Sequence, residues 1–244
     1  VSAHLTSGFV SRSHRAIAPF ELLRPSDLAS ADSLLKSGAA AHAGGIDLTA
    51  DLQRGFEVDR VVSLSGLAEL RRIDSVGTAL RIGALTTHHD IETSEIVAAH
   101  RPDLRDAWRT VGNIRIRRTG TVGGNLLSRD PGYDAAPVLA AAAAVGVWAD
   151  GSRVSIAESA SWPAGLLVAI DVPLEGHVVL DRSLKPVVSV AVGPAGVAVG
   201  CAYETVRLLD ASLDDVPEPI GDAFGSSAYR ARMIRVLARR MGAE

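Results

Sequence analysis

Thr119-Gly120-Thr121-Val122-Gly123-Gly124-Asn125 and Ala43-Gly44-Gly45-Ile46-Asp47-Leu48 are the two stretches on which the reading of this sequence turns. Each places a glycine pair at the end of an apolar segment. A residue without a Cβ lets backbone N–H groups approach an anion closely, and several such groups together make a nest for phosphate. One pair alone marks an ordinary turn as readily as a site. Two pairs brought together from distant parts of the chain clamp the two phosphates of a diphosphate from both sides, with Thr121 and Asn125 adding side-chain hydrogen bonds. The other common phosphate grammars are missing: no G-x-G-x-x-G follows a strand and opens a helix, and there is no G-x-x-x-x-G-K-[ST].

Composition narrows the setting. A chain of 244 residues with 47% hydrophobic side chains has enough apolar surface for a real core, and only 4% aromatics means that small aliphatic groups build it. That suits mixed α/β packing. A formal net charge of -3 leaves no electrostatic footprint for nucleic acid or an anionic membrane. The longest apolar stretch, Val138 to Ala149, falls short of the roughly 20 residues a membrane helix needs; it reads as a buried helix running into a strand. The start of the chain lacks the charged segment, apolar run and small-residue cleavage site of a secretory signal, so the cytoplasm is the expected location. Cys201 is the single cysteine. An iron–sulfur cluster needs several thiolates and a disulfide two, so any redox carrier in this chain is expected to be organic.

Residues 1–18 read as a tail. Ser26 is the expected N-cap of a short amphipathic helix carrying Leu28, Ala31, Leu34 and Leu35, with Gly38 at its C-terminal end. Ala39 to Ala43 reads as a strand ending at Gly44-Gly45. Val58 to Leu64 and Leu80 to Ala84 read as strands, the second preceded by a Ser75-Val76-Gly77 turn. Thr86 to His100 has the pattern of one helix closed by Pro102, and Leu104 to Val111 that of another. An Ala-rich helix then leads into a hairpin, Val145 to Ala149 and Arg153 to Ile156 about Asp150-Gly151, and a further strand over Leu166 to Val172. Pro186 to Val192 and Gly196 to Tyr203 form a second hairpin about Gly193-Pro194, and Ser226 to Arg240 a terminal helix. The arginines of that helix, Arg230, Arg232, Arg235, Arg239 and Arg240, read as a solvated face, and Cys201 as a small buried hydrophobe within a strand. His88-His89-Asp90 reads as solvent-facing, since neighbouring helix residues diverge by about 100° and nothing completes a metal site.

Taken in order, the motifs resemble the FAD-binding medium subunit of the molybdenum hydroxylases, the family of xanthine dehydrogenase, aldehyde oxidoreductase and aerobic carbon monoxide dehydrogenase. The carriers are Pro19-Phe20-Glu21 with Arg24-Pro25, the Ala43–Leu48 stretch, Leu80-Arg81-Ile82-Gly83-Ala84-Leu85-Thr86-Thr87, and Val111-Gly112-Asn113-Ile114-Arg115-Ile116-Arg117. They continue in the Gly120–Asn125 stretch, Asp134-Ala135-Ala136-Pro137-Val138-Leu139, and Ser226-Ser227-Ala228-Tyr229-Arg230. The resemblance implies an α+β protein of the PCMH type: two α/β subdomains, 19–75 and 76–175, clamping FAD, and a small C-terminal α/β domain of antiparallel strands and helices, 176–244.

It also implies the cofactor contacts. Ala41, His42, Ala43, Gly44, Gly45, Ile46, Asp47 and Leu48, with Thr121, Val122, Gly123, Gly124 and Asn125, wrap the diphosphate. Asp134 hydrogen-bonds the sugar or ribityl part, Val111 and Leu167 pack the rings, and Thr86 and Thr87 belong to a segment lining the same cleft. Asp134 as a helix N-cap and Leu167 as plain core are the competing readings. No residue is required as an acid or base, because the flavin does the chemistry. The implied partners are a molybdopterin-binding large subunit and a two-iron two-sulfur small subunit, in a dimer of heterotrimers, with an external acceptor such as NAD, a quinone or oxygen. Departures from the family pattern fall at His177, near a usual basic position, at Lys185, where Asp is usual, and in the short stretch Glu158 to Gly165, which widens access to the flavin or changes the acceptor. Two rival functions follow: a degenerate flavin-free scaffold, or a free-standing flavoprotein oxidase.

Overall fold

The computed structural model describes residues 17–183 and 187–243. All but the last two residues of the expected tail lie outside the described residues, as do Lys185 and Pro186.

Among the described residues, three sheets organise the chain. The first is parallel, with β2 (Ala40–His42) and β1 (Glu21–Leu23) on either side of β3 (Arg60–Ser63). Parallel neighbours need crossovers, supplied by α1 (Leu28–Lys36) and α2 (Ile46–Arg54). Asp27, rather than Ser26, caps α1: its carboxylate accepts from Ser30 N at 2.7 Å. A carboxylate one residue further on outcompetes the hydroxyl, which bonds to that same carboxylate. Ala31, Val62, Leu64, Leu67, Leu70, Leu85 and Leu166 form the core beneath this sheet.

The second sheet is antiparallel, in the order β4 (Ile73–Val76), β5 (Ala79–Gly83), β8 (Leu167–Pro173), β6 (Val145–Trp148), β7 (Arg153–Ser155). Leu80 opposes Val172 and Ile82 opposes Ile170, and all four are fully buried. Ser75 and Val76 belong to β4, so the expected turn moves to Gly77-Thr78, with Gly77 at φ +60° in the first position of a two-residue hairpin. Into the core on this sheet pack α3 (His88–Thr93), α4 (Glu95–His100), α5 (Pro102–Trp108), α7 (Val122–Leu127) and α8 (Ala135–Ala141), while α6 (Ile114–Thr119) lies against α3. The single helix expected over Thr86 to His100 is two, because Ser94 leaves helical geometry to accept from Val97 N and cap α4. Pro102 opens α5 at its first position, where a missing N–H costs nothing.

The third sheet, β12 (Arg207–Leu209), β11 (Gly196–Gly200), β10 (Ser189–Gly193), β9 (Val179–Arg182), is antiparallel and covered by α9 (Ser227–Arg240). Val188, Val190, Val197 and Val199 meet Ile234, Leu237 and Ala238 of α9. Gly193 pairs with Gly196, so Pro194-Ala195 form the turn. β11 ends at Gly200, since Cys201 takes a left-handed φ of +64° as its N–H reaches the carbonyl of Pro131. The reading of α9 as presenting five solvated arginines fails at Arg230, which is buried and donates to the Cys201 carbonyl and to Asp222.

Candidate cofactor-binding cleft

Between the end of β2 and the α6–α7 junction lies a cleft of about 490 Å³, within the size range of small-molecule and cofactor sites. Leu35, Leu64, Val111, Leu166 and Leu167 give it apolar walls. Among the described residues no Lys or Arg lines it.

One end is built by α2. Gly45 is its N-cap, at φ +76°, and offers no side chain to the first turn. The N–H groups of Ile46, Asp47 and Leu48 therefore have no helical acceptor and no side-chain cap, and all three residues line the cleft. Such a terminus is a ready anion site, since open amides and the positive end of the helix dipole point the same way. Gly44 brings this end close: a Cβ there would stand 2.1 Å from the Thr119 carbonyl oxygen. No other residue type fits between the two halves at this point.

The second glycine pair behaves differently. In the first turn of α7, Val122 N donates to Thr86 O at 3.0 Å, Gly123 N to Ala84 O at 2.9 Å and Gly124 N to Thr121 Oγ1 at 3.1 Å. These amides serve the protein's own structure, so the open donors are concentrated on α2 and the clamp is asymmetric. What α7 does offer is Asn125, whose buried Oδ1 meets no partner among the described residues.

The expected site residues largely converge. Ala41, Ala43, Gly44, Gly45, Ile46, Asp47, Leu48, Val111, Thr121, Gly123, Gly124, Asn125, Asp134 and Leu167 all line the cleft. His42, Thr86, Thr87 and Val122 do not. His42 lies behind Gly45, Thr86 and Val122 are buried, and Thr87 caps α3 in a reciprocal box with Asp90. Asp134 makes no N-cap bond; it is fully buried and held by Arg182 of β9, which also donates to Thr110 O at 3.0 Å.

Three participants were not legible in the sequence. Tyr133 donates to Asp47 Oδ1 at 2.6 Å, tying the loop before α8 to the first turn of α2, and burial together with Asp47 raises its phenol well above the ordinary value. Arg182 is the second. The third is His88, expected in solvent but buried against Trp108, whose indole N–H donates to His88 Nδ1 at 3.1 Å. Burial, then the Arg117 charge, push its imidazole down to about 4. His88 lines the cleft as well. Each depends on a contact distant in the chain; only the capped Thr87 start of α3, which fixes the face on which His88 sits, was a usable signal.

Comparison with known proteins agrees with this architecture. Residues 18–162 match the family described as FAD binding domain in molybdopterin dehydrogenase. The carbon monoxide dehydrogenase medium chain of Afipia carboxidovorans is 28% identical over 272 aligned residues, covering 91% of this chain and 94% of that one. In solved structures, quinoline 2-oxidoreductase from Pseudomonas putida 86 superposes with a TM-score of 0.81 at 23% identity, over 94% of this chain and 98% of that one. Carbon monoxide dehydrogenase from Hydrogenophaga pseudoflava, in a form lacking the Mo-pyranopterin moiety of its molybdenum cofactor, gives 0.81 at 22% identity over 94% and 98%. The fold is thus the α+β PCMH-type FAD-binding fold with its two subdomains, and the chain belongs to the family of FAD-binding domains of the molybdopterin dehydrogenases.

Proposed function

We propose that this chain is the FAD-binding electron-transfer subunit of a molybdopterin-dependent hydroxylase or dehydrogenase. The observation that carries this reading is the open first turn of α2 facing a cleft with apolar walls. The fit to FAD rests on particular atoms. Ile46, Asp47 and Leu48 would hold the diphosphate through their N–H groups, Gly44 admits the close approach, and the buried Asn125 Oδ1 awaits a donor. Val111, Leu166 and Leu167 would lie against the rings. Asp134 would meet the sugar or ribityl hydroxyls with Arg182 fixing its carboxylate.

FAD bound there supplies one- and two-electron transfer. The chain's own residues bind, orient and shield it, and none of them is needed as an acid or base. Electrons would arrive from a two-iron two-sulfur partner subunit, substrate hydroxylation would take place on a molybdopterin-binding partner, and an external acceptor would reoxidise the flavin. Two polypeptides of these kinds should co-purify with the chain when their genes are co-expressed. In that assembly, adding the substrate anaerobically should bleach the flavin, while the isolated FAD-loaded chain given the same substrate should stay oxidised. Bleaching of the isolated chain would favour a free-standing oxidase; failure to bind FAD would favour a scaffold.

A further inference from the structure

His88 is a buried imidazole for which neither the fold nor the expected cofactor contacts has a use. Its position is over-determined: Thr87 and Asp90 cap the helix that carries it, His88 N donates to Gly120 O at 3.0 Å, and Trp108 holds the ring. An indole N–H can only donate, so His88 Nδ1 is the acceptor and, in the neutral ring, Nε2 carries the proton. With its pKa lowered to about 4, the ring is neutral at pH 7. Among the described residues the side-chain hydrogen bond of His88 is the one from Trp108, made at Nδ1, and the ring lines the cleft. Cδ2 of the ring faces Gly120: a Cβ placed there would lie 2.9 Å from the Ile116 carbonyl oxygen, 3.1 Å from Ile46 Cδ1 and 3.2 Å from His88 Cδ2. Thus the imidazole stands across Gly120 from Ile46, the first residue of α2, with Cδ2, the ring atom bonded to Nε2, nearest the glycine. The cleft has no lysine or arginine in its lining among the described residues, and Asp47 and Asp51 both face it. An anion held there depends on neutral donors.

We infer that His88 is a phosphate-binding residue of this cleft, a neutral donor oriented by Trp108 whose Nε2–H bonds an oxygen of the ligand's diphosphate beside the open amides of α2. The inference rests on the FAD reading above and adds a residue to it. It predicts that the imidazole stays neutral on binding and that the tautomer set by Trp108 matters.

The test uses the full chain with 15N-labelled histidine. The His88 Nε2–H resonance should be present in the free protein and should move on adding FAD or ADP but stay put with adenosine, which lacks the diphosphate. His88→Phe should weaken FAD binding roughly tenfold or more, as expected for a lost hydrogen bond to a charged group, and His88→Gln, which keeps a donor, should recover most of it. Trp108→Phe should weaken binding while leaving the Gln variant's affinity as it was. An unmoved resonance with FAD bound overturns the inference even where the variants misfold, and so does a folded His88→Phe protein of wild-type affinity. Wild-type protein that binds no FAD is a distinct result: it removes the FAD reading and this inference together.

Discussion

Gly44 and Arg182 show what single residues contribute to this cleft. A side chain at Gly44 would run into a backbone carbonyl of the opposite half, an obstacle that cannot rotate away. Gly44→Val should therefore lose nearly all FAD retention, measured as flavin content after gel filtration, in a protein whose circular dichroism still shows the fold. Gly124 is tighter only against the Thr121 hydroxyl, at 2.9 Å, so Gly124→Val should be milder; equal losses would mean that both pairs hold phosphate alike. Arg182 shares the buried charge of Asp134. Arg182→Leu removes this ion pair from a buried carboxylate and should lower the urea midpoint, and Asp134→Asn in the same chain should return part of the loss. At this scale the close approach at Gly44 was legible because a missing Cβ acts locally, whereas the Gly123 and Gly124 amides are used within the fold. His88, Tyr133 and Arg182 were not legible, because each takes its role from a partner far along the chain, namely Trp108, Asp47 and Asp134.

Among the elements, α2 matters most and was the least visible. Its residues were read only as the far side of a glycine turn, although Gly45 and Gly55, both left-handed, bracket a nine-residue helix. The glycine pair drew attention to a turn and away from the helix that the second glycine starts. α7 was hidden in the same way behind Gly123-Gly124, with Thr121 as its unnoticed cap. Thr121→Ala should cost about 1 kcal/mol of stability, seen as a lower thermal midpoint. It should also free Gly124 N toward the cleft.

A second element-scale device is the ion pair at the start of α5. Arg101 and Asp103 are both buried, Asp103 also accepts from Val178 N, and Arg101 donates to Pro173 O, so the helix is pinned to both ends of the connection from β8 to β9. Burial pushes the Asp103 carboxyl up, but the Arg101 and Val178 hydrogen bonds outweigh it and hold the group below its ordinary 3.8. Asp171 between Arg81 and Arg153 is held low in the same manner. A depressed folded-state pKa contributes stability that is fully present above the ordinary value and is lost as pH falls through the folded one. Urea midpoints should therefore stay level with respect to these groups from pH 7 to about 5 and fall below about 4. Arg101→Met should lose about 3–5 kcal/mol at pH 7 and show a flatter acid limb; an unchanged limb would rule out Asp103 as a contributor.

For the molecule as a whole, the two subdomains were anticipated from the family resemblance that the ordered motifs carry, while hydrophobic runs and turn residues report individual strands directly. Pairing is another matter. β1 and β9 are three and four residues long and carry little period-two signal, yet they complete the first and third sheets. The third sheet is also more than an appendage: β9 returns Arg182 to Asp134 beside the cleft, while β10 and β11 lie against α8. Removing residues from β9 onward should thus lower FAD affinity as well as stability. The most direct test of the central claim, that the cleft at α2 holds FAD, is the visible spectrum of the purified chain after incubation with FAD and removal of free cofactor. The account predicts an oxidised flavin band with stoichiometric FAD, absent in the Gly44→Val protein. A folded, colourless wild-type chain would contradict it.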